Sequence, residues 1–228
     1  MKNPRRIIIA AMALALSCGT TVAADLVDMP TSDWTGAYFG ATVGYGFGRA
    51  GLEVNRQNRP ATAGRWDIDG LVGGVTVGHN WQSGHIVFGV EGDLSAATIS
   101  GSDTVVGPTL LCGSGPNPTL CTADVTALAT VRGRVGYDMD GIMPFLTGGF
   151  AAANITAQNE VNLVYANDWT YGWTVGGGVE RRFNDRISGK IEYLHINVPS
   201  VNGGGIFSDF KATFSELHVV RAGLNIHF

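Results

Sequence analysis

Eight ionisable residues pair at a spacing of two, and a ninth stands alone on the same alternation. They are Glu91 and Asp93, Arg132 and Arg134, Glu180 and Arg182, Lys190 and Glu192, and Arg221, four negative and five positive. Paired carboxylates facing guanidinium groups could work as an acid and a base beside an electrophilic partner. The same set could also neutralise itself. Residues i and i+2 of a strand share one face, and adjacent strands set such faces opposite each other. That spacing favours an interior network of salt bridges over a reaction centre.

No assembled catalytic motif accompanies the charges. The sequence holds no His-Glu-x-x-His, and no Cys and His stand at metal-ligand spacing. Gly176-Gly177-Gly178 lies inside an apolar alternation. Gly203-Gly204-Gly205 has no lysine or following helix at the spacing a phosphate loop needs. A Gly-x-Ser-x-Gly elbow is missing too. The expectation is a protein that is not an enzyme and has no cofactor or metal.

The elements that must carry these residues are strands. Phe39, Ala41, Val43, Tyr45 and Phe47 alternate with Tyr38, Gly40, Thr42, Gly44 and Gly46. The same period-two pattern returns around 70–81, 86–95, 125–137, 146–152, 173–182, 187–193 and 220–228. In the fourth segment the outward set reads Val125, Ala127, Ala129, Val131, Val135 and Tyr137. Eight segments of roughly ten residues suit tilted membrane-spanning strands. Tight turns are expected at Gln82-Ser83-Gly84, at Asp140-Gly141 and at Asn184-Asp185. Long loops are expected at about 48–67, 96–122, 155–170 and 196–213, which are rich in Gly, Pro, Asn, Ser and Thr. Three short turns and four long loops place both chain ends on the periplasmic side.

Composition agrees. Of 228 residues only 15% are charged, 45% are apolar, and 33 are glycine, about twice the usual share of roughly 7%. The net charge of -4 with no basic run argues against nucleic acid. Lys2, Arg5 and Arg6, then the apolar run Ile7 to Leu16, then Val22-Ala23-Ala24, read as a signal peptide cleaved after Ala24. This divides the chain into 1–24, a short periplasmic segment 25–33, and a barrel over 34–228. After the signal, only Cys112 and Cys121 remain, in one polar loop. Two thiols in an oxidising compartment should pair as a disulfide. Metal binding is the alternative, but no His lies in that loop.

Alternation alone does not separate a membrane barrel from a soluble one. Aromatic residues do, because they gather at both ends of the apolar face. Phe39, Trp81, Tyr137, Phe183 and Phe228 lie toward the turns, and Tyr45, Phe47, Trp173 and Tyr193 toward the loops. Bilayer interfaces select two such belts. The polar face then points inward, where glycine makes room and opposite charges pair. Arg181 breaks this parity. It faces outward beside Phe183 at the turn-side rim, where it can snorkel. The fold class expected is all-β, an eight-stranded antiparallel transmembrane up-and-down barrel.

Several stretches resemble small porin-like outer-membrane proteins of Gram-negative bacteria, of the outer membrane immunogenic protein type. They are Asp33-Trp34-Thr35-Gly36-Ala37-Tyr38-Phe39-Gly40, Val87 to Leu94, Thr130 to Tyr137 and Thr147 to Ala151. The terminal Phe228 resembles the signal read by the outer-membrane assembly machinery. The resemblance implies outer-membrane lipid as surroundings and that machinery as a partner in biogenesis. It implies a structural, surface-displaying envelope role without a wide channel. Some relatives bind haemin or host surfaces, which would make His195 and His218, near Tyr193 on the loop side, the haem candidates. A small diffusion pore is a further alternative, although wide channels need roughly 16 strands.

Overall fold

A strand edge left open in hydrocarbon costs several kcal/mol for each unpaired backbone group, so the sheet must close. The computed structural model describes residues 33–56, 59–105, 119–159, 164–198, 201–205 and 208–228. The elements are β1 Gly36–Arg56, β2 Arg59–Ser83, β3 Ile86–Val105, β4 Thr119–Tyr137, β5 Ile142–Asn159, β6 Val164–Arg182, β7 Ile187–Asn197, β8 Val201–Gly205 and β9 Ser208–His227. Each strand from β1 to β6 pairs antiparallel with the next, β7 pairs with β9, and β9 pairs with β1. Eight strands thus make a closed ring. The short β8 pairs with β9 beyond the end of β7. The signal peptide and its cleavage point lie outside the described residues, as do Cys112 and the side chain of Cys121.

The register fixes the stagger. The line from Tyr38 passes through Gly78, Glu91, Arg132, Gly149, Thr174, Ile196 and Leu217, and returns to β1 at Gly48, ten residues beyond its start. Stagger of this size tilts the strands, commonly by about 35–45°, and an eight-stranded interior is just wide enough for side chains to fill.

The short turns lie at one end. Asp140 and Gly141 both have positive φ, 52° and 87°, as the first-choice hairpin turn requires. The first turn falls at Gly84-His85, one position later than the sequence reading, with Gly84 at φ 61°. The third spans 183–186 rather than two residues, and the Asn184 Oδ1 accepts from the amides of Arg186 and Ile187.

Two expectations are corrected. The stretches read as long loops are largely hairpin extensions of the strands: β1 and β2 pair out to Arg56 and Arg59, and β3 and β4 to Val105 and Thr119. Gly, Pro and Asn disfavour strands locally, but each added ladder pair satisfies backbone groups and prolongs the strand. Val125 is the second. It is buried, not outward, because the register shifts between Val125 and Ala127. One extra residue flips every side chain beyond it to the other face.

Glycine on the inner face is sterically required at the tightest places. A Cβ on Gly149 would stand 2.1 Å from the Val131 carbonyl oxygen and 2.7 Å from the Arg132 Cα, both backbone atoms. Gly149→Ala should therefore push β4 and β5 apart. The expected result is a lower yield of folded protein, read as less of the fast-migrating species on unheated gels. An unchanged yield would show that the strands can separate locally at little cost.

Candidate functional site

On each of four strands the inward residues run in the same order from turn side to loop side. On β3 they are Glu91 and Asp93, then Ala97 and Ile99. On β4 they are Arg134 and Arg132, then Leu128 and Val125. On β7 they are Lys190 and Glu192, then Leu194 and Ile196, with Val198 just past its end. On β9 they are Arg221, then Val219 and Leu217. A charged layer therefore lies toward the turns and an apolar layer toward the loops.

The charged layer is a connected network. Arg132 binds Glu91, Asp93 at 3.1 Å and Glu192 at 2.8 Å. Arg221 reaches Glu192 at 2.7 Å and Asp93 at 3.1 Å. Lys190 meets Glu91 at 2.7 Å, and Arg134 meets Glu180 at 2.6 Å. The Tyr38 hydroxyl donates to Glu91 at 2.7 Å and accepts from Arg134 at 3.1 Å. Arg134 also stacks 4.4 Å above the Phe145 ring. Ser188 and Asn225 donate to Glu180, at 2.5 and 2.7 Å, and Thr130 donates to Asp93. Four carboxylates meet four cations here, and all eight side chains are almost wholly buried. Burial of charge is tolerable only when partners and hydrogen bonds compensate the lost hydration.

Arg182 is the member that stays apart. It lies half-buried at the turn-side mouth, where it donates to the Asp185 carbonyl at 3.0 Å and covers the Trp34 ring at 4.9 Å. Its place at the last position of β6 puts it below the network. Trp34, just before β1, closes that mouth. It is fully buried with Val87 and Met143, and its indole donates to Asp138 at 2.9 Å. His227 points inward, with Nε2 2.8 Å from the Ser188 hydroxyl.

The loop-side apolar layer was not anticipated as a plug. It gathers Val72, Ile99, Leu128, Leu194, Ile196, Leu217 and Val219, among others, into one buried cluster. A signal for it was present. Leu194 and Ile196 continue the parity of Lys190 and Glu192, and Val219 continues that of Arg221.

Between the two aromatic belts the outer face is apolar. Val131 is 67% exposed, Phe150 79% and Phe228 83%. Trp81, Phe88, Tyr137, Phe183 and Phe228 are exposed toward the turns, and Tyr45, Phe47, Trp169, Tyr171, Trp173 and Tyr193 toward the loops. Arg181 is exposed at the turn-side rim. The Phe228 amide donates to the Ala37 carbonyl at 2.9 Å, completing the seam. His195 and His218, separated by 23 positions in sequence, are brought together on the outer face at the loop-side belt. Among the described residues no three of His, Cys, Asp and Glu gather as a metal cluster.

A closed antiparallel barrel with a greasy exterior, two aromatic belts and a salt-bridged lumen defines an integral outer-membrane β-barrel protein. The chain belongs to the family described as outer membrane protein beta-barrel domain, which it matches over residues 9–227. It is 28% identical to the 31 kDa outer-membrane immunogenic protein of Brucella melitensis, over 98% of this chain and 100% of that one. It is 29% identical to the 25 kDa outer-membrane immunogenic protein of Brucella canis, over 89% and 88%. It is 29% identical to a 22 kDa outer membrane protein of Rhizobium leguminosarum, over 87% and 80%. The protein therefore resides in the outer membrane of a Gram-negative bacterium.

Proposed function

We propose that the protein is a non-enzymatic structural barrel of the envelope that displays its hairpins outside and conducts no bulk solute. The observation that carries this reading is the doubly filled lumen. The salt-bridge layer occupies the turn-side half, and the apolar cluster occupies the loop-side half. Water crossing the barrel would have to break one and wet the other. Outside, the hairpins continue past the upper aromatic belt and provide the displayed surface. During biogenesis Phe228, exposed beside the last strand, suits recognition by the assembly machinery.

Liposome swelling tests the closed lumen. Proteoliposomes should admit arabinose no faster than protein-free liposomes. Swelling that rises in proportion to barrel content would overturn the reading in favour of a pore.

A second reading, capture of haemin or a host surface molecule, draws on the meeting of His195 and His218 on the loop side. Saturable haemin binding that the His195→Ala/His218→Ala double variant loses would support it. Binding that survives in that variant would remove the two histidines from it.

A further inference from the structure

His195 on β7 and His218 on β9 are register partners, directly opposite each other. Both are partly exposed on the outer face, and their ring centroids stand 5.1 Å apart at an interplanar angle of 51°. The Tyr193 hydroxyl lies 2.7 Å from the His218 Nδ1. Trp173 flanks His195 at 5.4 Å, and Phe47 stacks on His218 at 5.3 Å. Neither imidazole takes part in the lumen network.

Opposed residues on antiparallel strands have Cβ atoms about 4.5–5.5 Å apart. Imidazole nitrogens bind d-block ions at about 2.0–2.1 Å, so two rings held this way can converge on one ion. A metal-bound histidine usually donates its other N–H to a nearby oxygen, which fixes the tautomer and aims the ring. Tyr193 is placed for this. When its oxygen accepts the Nδ1–H of His218, Nε2 is left with a free lone pair. Glu216, exposed two positions earlier on β9, adds negative charge on the same face.

We propose that His195 and His218 form a surface site for a divalent d-block cation such as Cu2+, Ni2+ or Zn2+, with Tyr193 as the positioning residue. Imidazole suits these ions, whereas Mg2+ and Ca2+ call for oxygen donors. Two protein ligands leave the remaining positions to water or lipid headgroup oxygens, so the ion is exchangeable. The contact between the rings also distinguishes a bare ion from haem. No porphyrin fits between two touching imidazoles, so haem iron could use one of them, while a small ion uses both.

The test is a Cu2+ titration of the untagged, folded barrel in detergent micelles, followed by calorimetry and by quenching of tryptophan fluorescence. The expected result is one ion per chain, with Cu2+ tighter than Zn2+ and no competition from Mg2+. His195→Ala and His218→Ala should each weaken binding by about a hundredfold, and Tyr193→Phe by about tenfold. His79→Ala/His85→Ala, at the opposite rim, should leave it unchanged. Each variant is first checked for heat-modifiable gel mobility, so loss of fold is not mistaken for loss of ligand. No saturable binding by the wild type, or equal binding by the His195→Ala/His218→Ala double variant, would overturn the site.

Discussion

Arg132→Met should lower the stability of the folded barrel by about 3–5 kcal/mol, the cost of removing one partner from a buried ionic cluster. Arg132 bonds three carboxylates, Glu91, Asp93 and Glu192, and its side chain is sealed from solvent. Methionine fills similar volume but returns no charge. The remaining cluster would hold four carboxylates against three cations, with no water to absorb the imbalance. Urea unfolding in lipid vesicles, followed by tryptophan fluorescence and extrapolated linearly, measures the loss. Arg132→Met/Glu192→Gln restores the balance and should recover part of it. A loss below about 1 kcal/mol in the single variant would mean that water reaches this layer, because exposed ion pairs contribute no more than that.

Val131→Arg should cost about 2–4 kcal/mol, while Thr98→Arg should cost no more than about 1 kcal/mol. Both side chains are exposed on the outer face. Val131 sits midway between the aromatic belts, and Thr98 lies on the loop-side half of β3, past Leu94. Only a bilayer makes two exposed positions so unequal. In water, arginine at either site would be nearly neutral. Equal costs in vesicle-based unfolding would contradict the assignment of the outer face to lipid.

The sequence made the strand count, the inward parity of the charges and the two aromatic belts legible, because each depends on a period of two. Glu91, Arg132 and Lys190 share the inward parity for the same reason. Parity fails wherever the period slips. Val125 changes face at a bulge that no local residue announces. Extension of strands into stretches rich in Gly and Ser was also hidden, since it depends on a partner strand supplying hydrogen bonds. His195 and His218 illustrate the limit most sharply. Their meeting follows from the register of β7 on β9, and register is a long-range property set by closure.

The seam between β1 and β9 also makes closure of the ring depend on β9 alone. A nascent chain that stops before β9 presents two bare strand edges, one on β1 and one on β7, and no other strand of the ring can cover both. Such a fragment has no low-energy place in hydrocarbon. Loss of β9 should therefore be far more damaging than loss of a displayed hairpin, because it leaves both edges unpaired in hydrocarbon.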